Sequence, residues 1–368
     1  MIEKNSAEMY HDQLYSILLG QIREGVIGPG ERVPSERALG EMYGVSRITV
    51  KTAVLRLMNE GLVVRATGKG TFVSSSLDPK RVQASRTGNV AFVLNKRSEH
   101  RVPLLEDAMY LSLSQSIETE MADNGMHIMI ATVDEQNVRE VNLYKAMVEK
   151  VDGLIIAEPR DHQLADLAVA QNRPVVLATP SEHRPTFDSV DIDNEQAGVE
   201  ATNYLLKLGH TRIAYIKGPE TIVATQTRFG GHLRALADAG VAPDRGLHVA
   251  ADGWTIGHGS RAFKRLLDTG LSFTAAICSN DLLAIGVLQA AAEARLSVPS
   301  DLSVIGCDNI ELAEHAAPPL TTLDAHVRFI GQVAARRLLD RLRGDDGPEQ
   351  RILLPAALVE RESCARVN

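Results

Sequence analysis

PGERVPSERALGEMYGVSRITVKTAVLRLMNEGLVVRATGKGTFV, residues 29–73, is the stretch on which the reading of this chain turns. Pro34 pre-sets the backbone of a helix start, and Ser35 offers an oxygen to the amides that follow. Ala38, Leu39, Met42 and Tyr43 then recur at helical spacing as one apolar face. Gly44 suits a left-handed helix end, and Ser46 caps the next helix. There Val50, Ala53, Val54, Leu57 and Met58 face inward, while Arg47, Thr49, Lys51, Thr52 and Arg56 take the other side. After Glu60-Gly61, a strand at Leu62–Arg65 turns through residues 66–70 into Thr71–Val73. A preceding helix at about Met9–Glu24, with Leu14, Ile17, Leu18 and Ile22 inward, supports the other two.

Helices and hairpin in this order predict a winged helix-turn-helix. A helix narrow enough for the major groove must present donors at its N-terminal end, where the helix dipole also favours phosphate. Arg47 and Thr49 stand there. The wing needs backbone N–H groups close to phosphates, and glycines flank Lys69. Each of these residues alone reads as solvated surface, and a lone GKG turn without the GxxxxGK[ST] pattern means little. Their ordered combination carries the reading. The pattern PxERxPSE followed by YGVSRxTVxxAxxxLxxEGLVxRxxGKGTFV closely resembles the DNA-binding domain of the GntR family of bacterial transcription regulators, without a gap from about Tyr10 to Val73. The resemblance implies operator contacts by Ser35, Arg37, Ser46, Arg47, Thr49 and the wing residues Thr67, Gly68, Lys69 and Gly70. Lys51 takes a place that arginine often fills, which implies a point contact to phosphate rather than a bidentate base reading.

Composition narrows the class. A length of 368 residues suggests two or three domains, and 44% hydrophobic residues suffice for globular cores. No run of 18 apolar residues suggests a membrane span, and the N-terminal MIEKNSAEMY has no apolar core of a signal peptide. Cys278, Cys307 and Cys364 form an odd set without CxxC, against a disulfide framework or zinc ribbon; a reducing cytoplasm is expected. The net charge of −8 divides unevenly: residues 1–88 carry +3 and residues 89–368 carry −11. Only the reader needs positive charge, because phosphate contact is local over a Debye length of roughly 10 Å.

Residues 75–88 are polar, aperiodic and read as a linker between a reader at 1–74 and a domain at 89–368. Beyond it, apolar runs alternate with amphipathic helices. Strands are expected at Val90–Leu94, His127–Val133, Gly153–Ala157, Pro174–Thr179, Ser189–Asp193, Arg212–Lys217, Ala275–Ser279 and Leu302–Cys307. Helices are expected at Leu111–Asn124, Glu195–Leu208, Arg228–Ala239, Gly257–Asp268 and Asp281–Ala294. Continuous Val/Ile/Leu strands separated by helices mean parallel α/β sheets, whose ligands bind beyond the carboxyl ends of the strands. Asn95, Glu158, Thr179, Asn280-Asp281 and Asp308-Asn309 follow those strands.

ATNYLLKLGHTRIAYIKG, TAAICSNDLLAIGVLQAAAEARLSVPSDLSVIGCDN and APPLTTLDAHVRFIG closely resemble the effector domain of the LacI/GalR regulators, strongly over Val190–Glu362 and more thinly over Asn89–Ser189. The resemblance implies a two-lobed, periplasmic-binding-protein-like (type I) fold with three chain crossovers. Its first lobe would span about 89–190, its second mostly 191–323 with the C-terminal segment. It also implies an effector cleft containing Tyr110, Glu158, Arg228, Trp254, Asn280 and Asp308, an inventory suited to sugar hydroxyls and a sugar's C–H face. Trp254 reads equally as a core anchor. Where such regulators often have a carboxylate after the strand matching Pro174–Thr179, this chain has Thr179; Glu158 and Glu182 lie nearby. Asn95–Leu105 resembles an insertion, either a cleft lid or a solvated loop.

The whole reads as an α/β protein with a small α+β reader: a homodimeric regulator, foremost a repressor, that binds double-stranded operator DNA and leaves it when a small carbohydrate binds. An activator or corepressor-dependent regulator, with a sugar or a nucleobase as effector, is the alternative. An enzyme on a Rossmann-like scaffold is disfavoured, since no GxSxG, GxGxxG or HExxH pattern occurs. No cofactor or metal is implied.

Overall fold

The computed structural model describes residues 10–23, 25–59, 61–66, 70–74, 87–95, 108–159, 162–180 and 184–367. The chain divides into two compact units, Met1–Arg86 and Thr87–Asn368.

In the first unit, α1 (Tyr10–Arg23), α2 (Glu36–Tyr43) and α3 (Arg47–Asn59) precede the hairpin of β1 (Val63–Ala66) and β2 (Gly70–Val73). The strands are antiparallel, with Val63 opposite Val73 and Ala66 opposite Gly70. Leu14, Leu18, Leu39, Val50 and Leu57 are fully buried in one core. The local chemistry sets the helix ends. Ser35 Oγ accepts from the Ala38 amide at 3.2 Å, and Gly44 closes α2 at φ 65°. Two side chains depart from the sequence pattern. Met42 is 61% exposed, because the short α2 meets the core through Leu39 and Tyr43 and turns its remaining face outward. Arg56 does not extend freely from α3: its guanidinium lies 3.9 Å over the Tyr15 ring and clamps α3 to α1. Thr67, Gly68 and Lys69 lie outside the described residues.

The second unit holds two six-stranded sheets. The first contains β3 (Asn89–Asn95), β4 (His127–Val133), β5 (Gly153–Ala157), β6 (Val175–Ala178), β7 (Asp188–Ile192) and β13 (Arg351–Leu354), in the order β13-β7-β6-β5-β3-β4 and all parallel. The second contains β8 (Ile213–Lys217), β9 (His248–Ala250), β10 (Ala275–Cys278), β11 (Ser303–Cys307), β12 (Thr321–Asp324) and β14 (Ala357–Val359), in the order β14-β12-β11-β10-β8-β9. Only β14, on β12, is antiparallel. Interior strands such as Gly153–Ala157 and Ser303–Cys307 are buried along their whole length, as parallel strands covered on both faces must be.

Each expected strand is present, with its ends shifted by at most a residue. Short polar strands such as Thr321–Asp324 and the edge pieces Arg351–Leu354 and Ala357–Val359 carry no comparable apolar signal. The helices of this unit are α4 (Ala108–Asp123), α5 (Val138–Val148), α6 (Gln163–Ala170), α7 (Asn194–Lys207), α8 (Val223–Asp238), α9 (Ile256–Asp268), α10 (Asp281–Glu293), α11 (Glu311–Glu314) and α12 (Val327–Arg343). The chain crosses between the sheets after β7, after β12 and after β13. The C-terminal segment is therefore shared: α12 packs on α4 and the first sheet, β13 joins that sheet, and β14 with the following residues 361–365 bonds to the second.

Two contacts fix the geometry that matters below. Gly198 of α7 and Gly231 of α8 face each other's backbone: a Cβ at Gly198 would overlap the Arg228 carbonyl, and one at Gly231 the Glu195 carbonyl. That close crossing brings α8 onto the start of α7. On the first sheet, Asp188 accepts from Arg337 Nε at 2.8 Å and from Arg341 Nε at 2.6 Å, pinning α12 to β7.

Candidate DNA-reading face and effector cleft

The exposed side of the first unit gathers basic groups around one acid. Ser46 caps α3, its Oγ 3.2 Å from the Thr49 amide and 2.8 Å from Thr49 Oγ1. Arg47 opens that helix and is 89% exposed. Arg37 is 88% exposed and paired with Glu41 at 2.9 Å, and Lys51 points to solvent. Glu36 is held by Arg65 at 2.8 Å, with Arg47 at 3.8 Å. Exposed pairs of this kind contribute ~0–1 kcal/mol and yield readily to a phosphate.

Two residues here, Arg65 and Arg32, stand in the quoted patterns GLVxRxxGKGTFV and PxERxPSE but are not among the expected contacts. Gly70 adopts φ 120°, and a Cβ there would stand 2.6 Å from Arg32 Nε, so the Arg32 guanidinium lies along the wing backbone. With Ser35, Glu36, Arg37, Arg47 and Arg65 it lines a groove of about 580 Å³. Residue type alone does not show that Arg32 reaches the wing, since Arg32 and Gly70 stand far apart in the sequence.

In the second unit, residues after the strands converge from both sheets. Arg228 of α8 donates to Asn194 Oδ1 at 2.7 Å and to the Ser279 carbonyl, linking the end of β7 to the end of β10. Burial opposes the charge of Arg228, yet Cys307, Asp308, Tyr215 and Asp191 outweigh it and hold the guanidinium more firmly protonated. Asn280 caps α10, its Oδ1 2.9 Å from the Leu283 amide, which leaves its Nδ2 as the group available to donate. Asp308 follows β11 at φ 113°. Its backbone is fixed by neighbours: the Asp308 amide bonds the Leu323 carbonyl at 2.8 Å. The buried Asp281 carboxylate takes the Ile310 amide at 2.9 Å and the Thr322 hydroxyl. Asn309 is held by Asp324 at 3.2 Å and by Arg361 at 2.8 Å. Glu158 and Thr179 also have positive φ, 47° and 48°. Strained non-glycine residues persist where the surroundings over-determine them, and they gather at ligand sites.

Buried polar atoms without a partner cluster in the same place. Among the described residues they include Asn95 Oδ1, Thr179 Oγ1, Arg228 Nε and Ser279 Oγ, each following or facing a strand end. Asn95 is 2% exposed and Ser279 wholly buried. Leaving such groups unsatisfied costs about 1–3 kcal/mol each, so the arrangement favours a polar occupant.

Not every expected residue meets this cluster. Arg228, Asn280, Asp308 and Glu158 surround it. Trp254 is half-buried, with its indole packed over Gly218 where any Cβ would overlap it, and it belongs partly to the second-lobe core. Tyr110, in α4, is 2% exposed and belongs to the apolar core cluster of this unit. Glu182 and residues 96–105 lie outside the described residues.

Asp191, on β7, is a cleft carboxylate that spacing alone does not mark. Its Oδ1 accepts from the Ile192 amide at 2.8 Å and its Oδ2 lies 3.4 Å from Asn194 Nδ2. Burial pushes its carboxyl up to about 7, helped by Glu158 and opposed by the Ile192 amide and Arg228. A folded pKa above the unfolded value of about 3.9 means that its stabilising contribution is complete below about pH 4 and lost as pH rises through 7. Asp191→Asn is therefore expected to melt higher than the parent chain at pH 8, with the gap narrowing by pH 5. Thermal melts at both pH values check this, and an equal gap at both would rule out the buried carboxylate.

Comparison with known proteins follows the same division. Residues 11–73 match the model of bacterial regulatory proteins of the gntR family, and residues 202–364 match a periplasmic binding protein-like domain. The HTH-type transcriptional repressor CytR of Escherichia coli K12 is 33% identical over 275 residues, 73% of this chain and 80% of the relative. The structure of a transcriptional regulator CelR–cellobiose complex superposes with a TM-score of 0.69 at 26% identity, covering 90% of this chain and all of that one. A lac repressor dimer bound to operator and the anti-inducer ONPF gives 0.67 at 25% identity, covering 78% and 97%.

Proposed function

Because this chain belongs to the LacI family of transcriptional regulators and carries a GntR-type reader, we propose that it is a sugar-responsive repressor. DNA binding and transcription regulation follow from the family; the repressing sign, the effector class and the contact residues are the proposal. Two copies would set two α3 helices on a palindromic operator. Arg47 and Thr49 at the capped end of α3 would meet base edges and phosphates, with Arg37, Lys51 and the wing residues Thr67–Gly70 on the backbone. The protein would act in the cytoplasm, without a catalytic step and without a cofactor.

The observation that carries the effector half is the cluster of buried, unpartnered polar atoms around Arg228 and Asp308 at the carboxyl ends of both sheets. Sugar hydroxyls both donate and accept, so one molecule can satisfy Asn95, Thr179, Arg228 and Ser279 together while donating to Asp308. A ligand bound by both lobes favours their closed arrangement, and through it a changed DNA affinity. The relative solved with cellobiose is consistent with this class of occupant.

The test is a thermal-shift screen of the full chain against sugars and nucleobases, followed by gel shifts with any hit. Asp308→Asn is expected to abolish the sugar-induced shift while operator retention persists. An undiminished shift in Asp308→Asn would reject the cleft; a hit among nucleobases alone would reject the sugar.

A further inference from the structure

The cleft's charge balance narrows the effector further. The first sheet ends without a carboxylate on β6, where Thr179 stands with its hydroxyl buried and unpartnered. The Thr179 amide bonds the Val190 carbonyl at 2.8 Å, which sets Asp191 beside Thr179 on the next strand. Val190 and Ile192 turn into the core cluster, so the alternation of β7 directs Asp191 to the other side. There it acts electrostatically on Arg228 and Glu158. We propose that Asp191 is the first-lobe acceptor for effector hydroxyls, in the role left open by Thr179, and that the cleft selects uncharged polyhydroxy compounds over their phosphorylated or acidic counterparts. This rests on the sugar-responsive reading above.

Two features support the selection. Arg228 is the buried cation of the site, and both its terminal nitrogens are already committed, to Asn194 and to the Ser279 carbonyl. Its Nε alone lacks a partner. The other cation acting on Asp191 is Arg351, which is exposed at the edge of the sheet on β13. Against these stand three carboxyl groups: Asp308 and Asp191 act on Arg228, and Glu158 acts on Asp191. A phosphate or carboxylate brought here would lose its hydration and meet like charge, with a single buried cation, already bonded to Asn194 and Ser279, to receive it. A hydroxyl-bearing neutral ligand instead donates to the carboxylates and accepts from Nε. Asn95, 2% exposed with Oδ1 unpartnered, adds a second acceptor from the end of β3.

The experiment measures thermal shift and calorimetric binding on the full chain. The probes are D-ribose, D-xylose, L-arabinose, D-glucose, D-galactose and cellobiose, beside D-ribose 5-phosphate, D-glucose 6-phosphate and D-gluconate. At least one neutral probe is expected to stabilise the parent chain, and its phosphorylated or acidic partner to bind at least ~10-fold more weakly. At pH 8, where Asp191 is ionised, Asp191→Asn is expected to weaken the neutral probe by ~10-fold or more, the loss of a hydrogen bond to a charged acceptor. Equal binding of that probe to Asp191→Asn, or equal or tighter binding of a phosphorylated probe, overturns the inference and leaves the sugar reading standing. No response to any probe, with operator binding intact, overturns the sugar reading itself. Should Asp191→Asn not fold, the comparison of neutral with phosphorylated probes on the parent chain decides alone.

Discussion

Replacing Arg47 by alanine is expected to lower operator retention ~5- to 150-fold, as the loss of a base or phosphate contact of ~1–3 kcal/mol requires. The reason is geometric. Arg47 is 89% exposed at the first position of a helix whose N-terminus is capped by Ser46, so donors and helix dipole point the same way. Its 3.8 Å approach to Glu36 is too exposed to hold it back. The folded unit does not depend on it, since the core of Leu14, Leu39, Val50 and Leu57 lies on the opposite side. The melting point should therefore stay within the range of a surface substitution, about ±0.5 kcal/mol. Gel shifts with operator fragments selected from genomic DNA, paired with thermal melts, separate the two effects. Unaltered retention would remove α3 from the DNA interface.

Asp188→Ala is expected to cost ~3–5 kcal/mol of stability, the largest loss in the second unit. Asp188 is 2% exposed and Arg337 5%, and the carboxylate is shared between Arg337 and Arg341. It also accepts the Gln350 amide at 2.8 Å, which leads the chain into β13. Alanine would leave two cations at the junction of α12, β7 and β13 without their shared carboxylate, Arg337 keeping Asp345 and Arg341 the Asp345 and Gly347 carbonyls. Burial alone would raise the carboxyl's pKa, but the bonds from Arg341 and Arg337 outweigh it and hold it below its ordinary value. Its contribution is therefore present above about pH 4 and lost as pH falls through the lowered folded pKa. Urea unfolding at pH 7 should show the full difference from the parent chain, and acid should shrink it. A loss under ~1 kcal/mol at pH 7 would mean that α12 is held by its apolar contacts alone.

What the sequence makes legible and what it hides follow from range. Caps and turns are local, so Ser35, Gly44 and Ser46 mark the ends of α2 and α3 by residue type alone. Buried parallel strands are apolar runs, and Gly153–Ala157 and Ser303–Cys307 lie within a residue of where their composition marks them. α8 begins at Val223, five residues before Arg228, because the polar Thr225-Gln226-Thr227 turn hides its start; Thr225 is nonetheless buried. Contacts between distant residues leave no local trace. Arg56 on Tyr15, Arg32 along Gly70, and Asp191 with Asn194 and Arg228 require the fold to bring them together. Family resemblance singles out Asn280 and Asp308 through the words SND and GCDN, and Arg228 through its place three residues before Gly231. It also singles out Tyr110, which lies in the core cluster at 2% exposure.

If occupancy of the cleft controls the reading of DNA, the two sites share a coupling of ~1–3 kcal/mol, or 5- to 150-fold in affinity. Fluorescence anisotropy reads this coupling on the full chain: operator binding is followed at fixed salt while the sugar that gives the largest thermal shift is titrated. Operator affinity of the parent chain is expected to fall at least ~5-fold at saturating sugar, and Asp308→Asn to show no such fall. Operator affinity unchanged by a sugar that demonstrably stabilises the chain would contradict control through the cleft.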